Sequence, residues 1–157
     1  MKDDGFSLIE VMVAMMISGI ALMGALGAVE VSSRHVHQGE LNTKALELAQ
    51  ARLEVKRSVR WQSLLEDDLD RDGVPETVMA DDGQGYDEAA GDGIYTAMHE
   101  QDGVMVVWMI ETEQPGPLGA SGMVMIRAVA SYPGLQGQKR EIHVATMRAN
   151  PGFVGQR

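Results

Sequence analysis

The 157-residue chain contains no cysteine. Neither a disulfide framework nor a thiolate metal site can form, and cysteine usage says nothing about the redox compartment. Basic side chains are scarce: 13 Lys and Arg stand against 23 Asp and Glu, a formal charge of −10. That balance opposes approach to a polyanion, so nucleic acid is not an expected partner. The sequence also lacks a nucleophile and base pair, a Gly-rich phosphate loop and metal-hydrolase spacing, and an enzyme is not expected. The length allows one compact domain, smaller by whatever part of the chain stays outside a soluble core.

Charge is missing from one long run. Between Phe6 and Val29 the only ionisable side chain is Glu10. A helix rising about 1.5 Å per residue needs about 20 apolar residues to cross about 30 Å of hydrocarbon, so this segment is long enough. It does not read as a secretory signal peptide, because the basic region is nearly absent, the apolar run is too long and no small-residue cleavage site follows it. A carboxylate inside such a helix costs about 2.5 kcal/mol or more without a partner, which makes Glu10 the informative residue. Gly19, Gly24 and Gly27, with Ala14, Ala21, Ala25 and Ala28, make the helix thin enough for close packing against others. Met12, Met15, Met16 and Met23 read as flexible apolar filler.

The hexapeptide GFSLIE, with Gly5 before Phe6 and Glu10 four residues beyond Phe6, resembles the class III signal of type IV pilins and of the pseudopilins of type II secretion. The resemblance implies cleavage after Gly5 by a membrane-embedded prepilin peptidase and methylation of the new N-terminal residue, Phe6. It also implies that Glu10 pairs with the N-terminal amine of a neighbouring subunit during assembly. A buried amine and a buried carboxylate neutralise each other only at one stagger of the subunits, so the pair would set register. The leader, Met1-Lys2-Asp3-Asp4-Gly5, is net acidic where the family's leader is usually basic. The family further implies other pilin subunits, an inner-membrane assembly platform and membrane lipid as partners. It places the chain in a bacterial inner membrane, single-pass with a periplasmic head, before a pilus or pseudopilus takes it up. ALELAQARLEVKRS and the late strand REIHVATMR are similar to PilV-type minor pilins and to I-type pseudopilins. These families serve twitching motility, cell adhesion and type II secretion.

Beyond Val29 no Pro or Gly cluster halts the helix, and Leu41, Ala45, Leu48, Ala49 and Leu53 recur at steps of three and four. The charged residues between them, Glu40, Lys44, Glu47, Arg52, Glu54, Lys56 and Arg57, are expected on a solvated face. A single helix from Phe6 to about Ser58 would be about 80 Å long. His35 and His37 point in different directions on a helix and are not expected to share a metal.

Residues 66–103 are rich in Asp and Gly, with turn signals at Asp72-Gly73, Asp82-Gly83, Asp92-Gly93 and Asp102-Gly103. Within them DLDRDGVPE places Asp68, Asp70 and Asp72 at alternate positions, followed by Gly73, the Val74 carbonyl and Glu76. Alternate oxygen ligands with a glycine for the sharp turn suit a structural Ca²⁺. The spacing resembles the calcium loops of EF-hands and, more closely, those of extracellular repeat domains. Met79 stands where an EF-hand carries its bidentate Glu, and Asp81 or Asp82 is the candidate to complete the shell. A solvated acidic loop with ordinary Asp-Gly turns is the alternative.

Val104–Glu111, Met123–Tyr132 and Glu141–Arg148 read as strands, separated by Pro115-Gly116-Pro117 and Pro133-Gly134. An antiparallel meander is the simplest connection, with Ile142, Val144 and Thr146 on the inner face. The expected chain is α+β and pilin-like: leader 1–5, membrane or filament-core helix 6–29, amphipathic spine 30–65, acidic loop 66–103, and sheet with tail 104–157. The expected function is a minor pilin, with a pseudopilin or a calcium-ordered adhesin displayed at a filament tip as alternatives.

Overall fold

The computed structural model describes residues 7–70, 72–135 and 137–152. One helix, α1 (Leu8–Ser58), is followed by a two-stranded ribbon, β1 (Glu66–Asp67) with β2 (Thr77–Val78). An antiparallel sheet comes next, its strands β3 (Ile94–Gln101), β4 (Val104–Thr112), β5 (Met123–Pro133) and β6 (Lys139–Ala149) lying side by side in chain order. The architecture is α+β and pilin-like. The chain divides into two compact units, 1–40 and 41–157.

In the first unit, every described residue through His37 is exposed. Leu8, Ile9, Met12, Met15, Ile17, Ile20 and Leu26 each expose more than half of their surface. The helix is long and apolar enough here to cross a membrane.

In the second unit, α1 from Leu41 onward lies on one face of the sheet. Ala45 and Ala49 are fully buried in the core with Val106, Trp108, Ile110, Ile126, Ala128 and Ala130, and Leu41, Leu48 and Leu53 pack at its margin. The two alanines face the sheet without bulk of their own, so the apolar spacing in the sequence is the packing surface. The register sets Trp108 opposite Ala97 on β3 and Ala128 on β5, small neighbours that leave room for the indole. Ile142, Val144 and Thr146 are half-buried on the same side while Glu141, His143 and Ala145 are exposed, as the alternation predicts.

The ribbon β1–β2 and the strand β3 both arise within residues 66–103, where the sequence reading expected only a loop. Residues 94–101, expected in a loop, form β3. This is an edge strand with polar Thr96, His99, Glu100 and Gln101, so its alternation is weak, and the flanking Asp-Gly pairs disguised it. Asp102 (φ 52) and Gly103 (φ 77) form its two-residue turn to β4, both in the left-handed conformation that matches a hairpin's twist. The helix ends at Ser58, as the sequence predicts, and residues 61–63 of the segment assigned to the spine form a short 3-10 turn instead. From β6, Arg148 donates to the carbonyl of Lys56 at 2.6 Å and to that of Val59, satisfying acceptors that the last turn leaves free.

Lys56 is the larger correction. Expected on the solvated face, it is fully buried. Its ammonium donates to the carbonyls of Leu64 (2.7 Å) and Glu66 (3.0 Å) and lies 2.9 Å from Asp67 Oδ2. The same oxygen accepts the Trp108 indole N–H at 2.8 Å. Burial pulls the Lys56 pKa below the ordinary lysine value, with the Asp67 charge and hydrogen bond opposing it. Removing one member of a buried pair strands the other. Lys56→Met is therefore expected to cost about 3–5 kcal/mol in denaturant unfolding. Lys56→Met/Asp67→Asn removes the stranded charge while keeping an acceptor for Trp108, and is expected to recover part of that loss. A Lys56→Met protein as stable as the parent would contradict the arrangement.

Candidate functional site

Glu10 stands in the first turn of α1, where its own N–H donates to the Ser7 carbonyl at 3.0 Å. Its side chain is exposed and shares a shallow helix groove with Ala14, Ser18 and Gly19. A Cβ added at Gly19 would meet nothing within 4 Å. The face carrying the carboxylate is thus narrow and open, which suits close approach by another helix. Gly5 and Phe6, the expected cleavage and methylation positions, lie outside the described residues. His37 meets Glu40 at 3.7 Å on the helix surface, both exposed.

Asp68, Asp70, Asp72 and Glu76 come together, with one carboxylate oxygen from each lying within 4.8 Å of the others. Among the described residues each carboxylate accepts from one backbone N–H. Asp68 Oδ2 accepts from Gly73 (2.9 Å), Asp70 Oδ1 from Asp72 (3.0 Å), Asp72 Oδ1 from Val74 (2.8 Å), and Glu76 Oε2 from Leu69. Gly73 adopts φ 92, the left-handed turn expected of a glycine here. Asp68 Oδ1 is buried and has no hydrogen-bond partner among the described residues. The loop closes on the core, since Glu76 N–H donates to the Asp67 carbonyl at 2.9 Å and Met79 N–H to that of Leu65 at 2.8 Å. Met79 is itself a core side chain, 3% exposed, which is why the twelfth position of the loop carries no carboxylate. Val74 keeps its side chain in solvent.

Asp81 and Asp82 do not join this group. Asp82 accepts from Gln84 N–H at 3.0 Å, while Asp81 forms a second group with Asp87 and Asp92. That second group escaped the sequence reading because its members are spaced irregularly. Its carboxylates serve the backbone more fully: Asp87 accepts from Gly83 and Ala89, Asp81 from Gly91 and Gly93, and Asp92 from Ile94. Gly93 (φ 88) is obligatory, since a Cβ there would sit 2.1 Å from Thr112 Oγ1, which donates to the Gly93 carbonyl.

Residues 1–26 match the family described as the prokaryotic N-terminal methylation motif. No curated protein and no solved structure matches the chain. The motif supports membership of the pilin superfamily. It speaks for a structural subunit rather than an enzyme, one processed by prepilin peptidase and interacting with other pilin subunits. With the apolar helix that carries it, the motif also supports membrane anchoring and is what a type IV pilin-like or pseudopilin precursor carries.

Proposed function

We propose that the chain is a minor type IV pilin-like subunit, cut after Gly5, methylated at Phe6, and drawn from the bacterial inner membrane into a filament that it primes or caps. The observation that carries this reading is the motif spanning residues 1–26, with Glu10 as the one carboxylate on an otherwise apolar helix face. In hydrocarbon that charge is stabilised when a partner's amine reaches it. Prepilin peptidase, an inner-membrane platform and surrounding lipid are the remaining partners, with the head on the periplasmic side. A pseudopilin is the second reading, supported by the same motif.

In the head, Asp68, Asp70, Asp72 and Glu76 would hold a structural Ca²⁺, with the Val74 carbonyl as a further ligand. The oxygen-only donor set and the orphaned Asp68 Oδ1 fit that ion. Bound there, it would offset the repulsion of four carboxylates and brace the ribbon that carries Asp67. A tip-displayed adhesin would use this ordered loop for contact.

Three outcomes test the proposal. Protein from membranes of a host with prepilin peptidase should begin at Phe6 and be about 14 Da heavier than the unmodified cut chain, from an added methyl group. An uncut Met1 in hosts with and without the peptidase would defeat the filament reading. Glu10→Leu should still enter the membrane yet fail to enter filaments, and normal incorporation would refute the register role. Millimolar Ca²⁺ should raise the melting temperature of the full chain in detergent, by about 2.7 kcal/mol of stabilisation at a hundredfold excess over Kd. Asp70→Asn/Asp72→Asn should abolish the response, and an unresponsive parent chain would exclude the metal.

A further inference from the structure

All six methionines of the four-stranded sheet lie on the face away from α1. The register sets Met98 opposite Val107, between Met105 and Met109 on β4, and sets Met125 directly opposite Met147, with Met123 two residues before Met125 on the same side. The helix-facing positions of these strands, Val106, Trp108, Ile110, Ile126, Ala128 and Ala130 among them, carry no methionine. Met98 and Met147 are more than half exposed, at 57% and 58%, whereas Met79, in the core beside the sheet, is 3% exposed. With no cysteine in the chain, thioethers are the only sulfur available to oxidants.

From this segregation we propose that the outer sheet face is a modification site for two-electron oxidants of the peroxide class. The face takes up oxygen at Met98 and Met147 first, without loss of the fold. A thioether sulfur attacks one peroxide oxygen. The S–O bond forms as the O–O bond breaks, and the departing hydroxide takes the proton from the oxygen now on sulfur, leaving sulfoxide and water, so the sulfur is oxidised and the peroxide reduced. A sulfoxide is polar, and inside a core it would disrupt packing. On this face it meets solvent, and at Met125 it meets a donor: Arg127 Nε already lies 3.1 Å from the Met125 sulfur. A sulfoxide oxygen is a far stronger acceptor than a thioether. Oxidation would thus make the thioether patch on this face polar like the charged side chains beside it, reversibly, because sulfoxide reductases restore the thioether.

The test treats the full chain in detergent with dilute hydrogen peroxide and maps the gain of about 16 Da per oxygen by peptide mass spectrometry. Met98 and Met147 should reach half-oxidation about tenfold sooner than Met79, following thioether exposure. With those two converted, the melting temperature should stay within about 2 °C. Met98→Leu/Met147→Leu should lose the early uptake on the peptides of the sheet and melt like the parent. Oxidation of Met79 at a rate equal to the exposed pair would overturn the proposal. So would a collapse of the melting transition once Met98 and Met147 are oxidised.

Discussion

The head is organised around one buried ammonium. Lys56 reaches from the last turns of α1 to three acceptors, the carbonyls of Leu64 and Glu66 and the carboxylate of Asp67, and Asp67 in turn receives the indole N–H of Trp108 from the second strand of the sheet. Helix, connector and sheet thereby meet in one polar cluster inside an apolar core. Burial, with the nearby Arg52 charge, lowers the Lys56 pKa against the support of Asp67, and a buried ion pair of this kind is weak evidence for net stability. Its contribution is uniqueness. An ammonium with three donors is satisfied by one arrangement of these three segments, and any slip of the connector leaves a charge buried without acceptors. Arg52, stacked 5.0 Å above the Trp108 ring, and Arg148, bound to the end of the helix, extend cationic contacts on either side of it.

How much of this is legible in the sequence depends on whether the deciding force is periodic. Leu41, Ala45, Leu48 and Ala49 announce their face because apolar burial repeats with the helix. The three apolar strands and the inward set of Ile142, Val144 and Thr146 are legible for the same reason, with a period of two. The Lys56 cluster is not legible. A lysine between Val55 and Arg57 looks like any solvated helix charge, and only the path of residues 59–67 brings acceptors to it. The edge strand β3 is hidden differently: it buries little, so it carries little pattern, and its best signal was the Asp102-Gly103 turn that follows it.

The candidate sites divide along the same line. Glu10 is legible because a lone carboxylate in an apolar run is costly, and the structure leaves it on an open helix face. The DLDRDG spacing is legible because alternate positions of a turning chain converge, and four of the proposed ligands do converge. The group formed by Asp81, Asp87 and Asp92 had no such spacing and emerges only from the fold.

The two acidic groups also show why carboxylate convergence alone does not identify a cation site. Five backbone N–H donors serve the three carboxylates of the Asp81 group, and both oxygens of Asp81 and of Asp87 are taken. Oriented amide dipoles supply the compensating positive charge there, as in other backbone nests that hold anions. In the Asp68 group each carboxylate has one backbone donor among the described residues, so the amides orient the side chains without using up their oxygens. The second oxygens are the ones a hard cation would require. The Asp67 carbonyl accepts the Glu76 N–H, so whatever fixes this loop also holds in place the backbone that carries Asp67 to Lys56. Order in the acidic loop and order in the core are one mechanical problem, joined at the Asp67 carbonyl and again where Met79 N–H meets the Leu65 carbonyl.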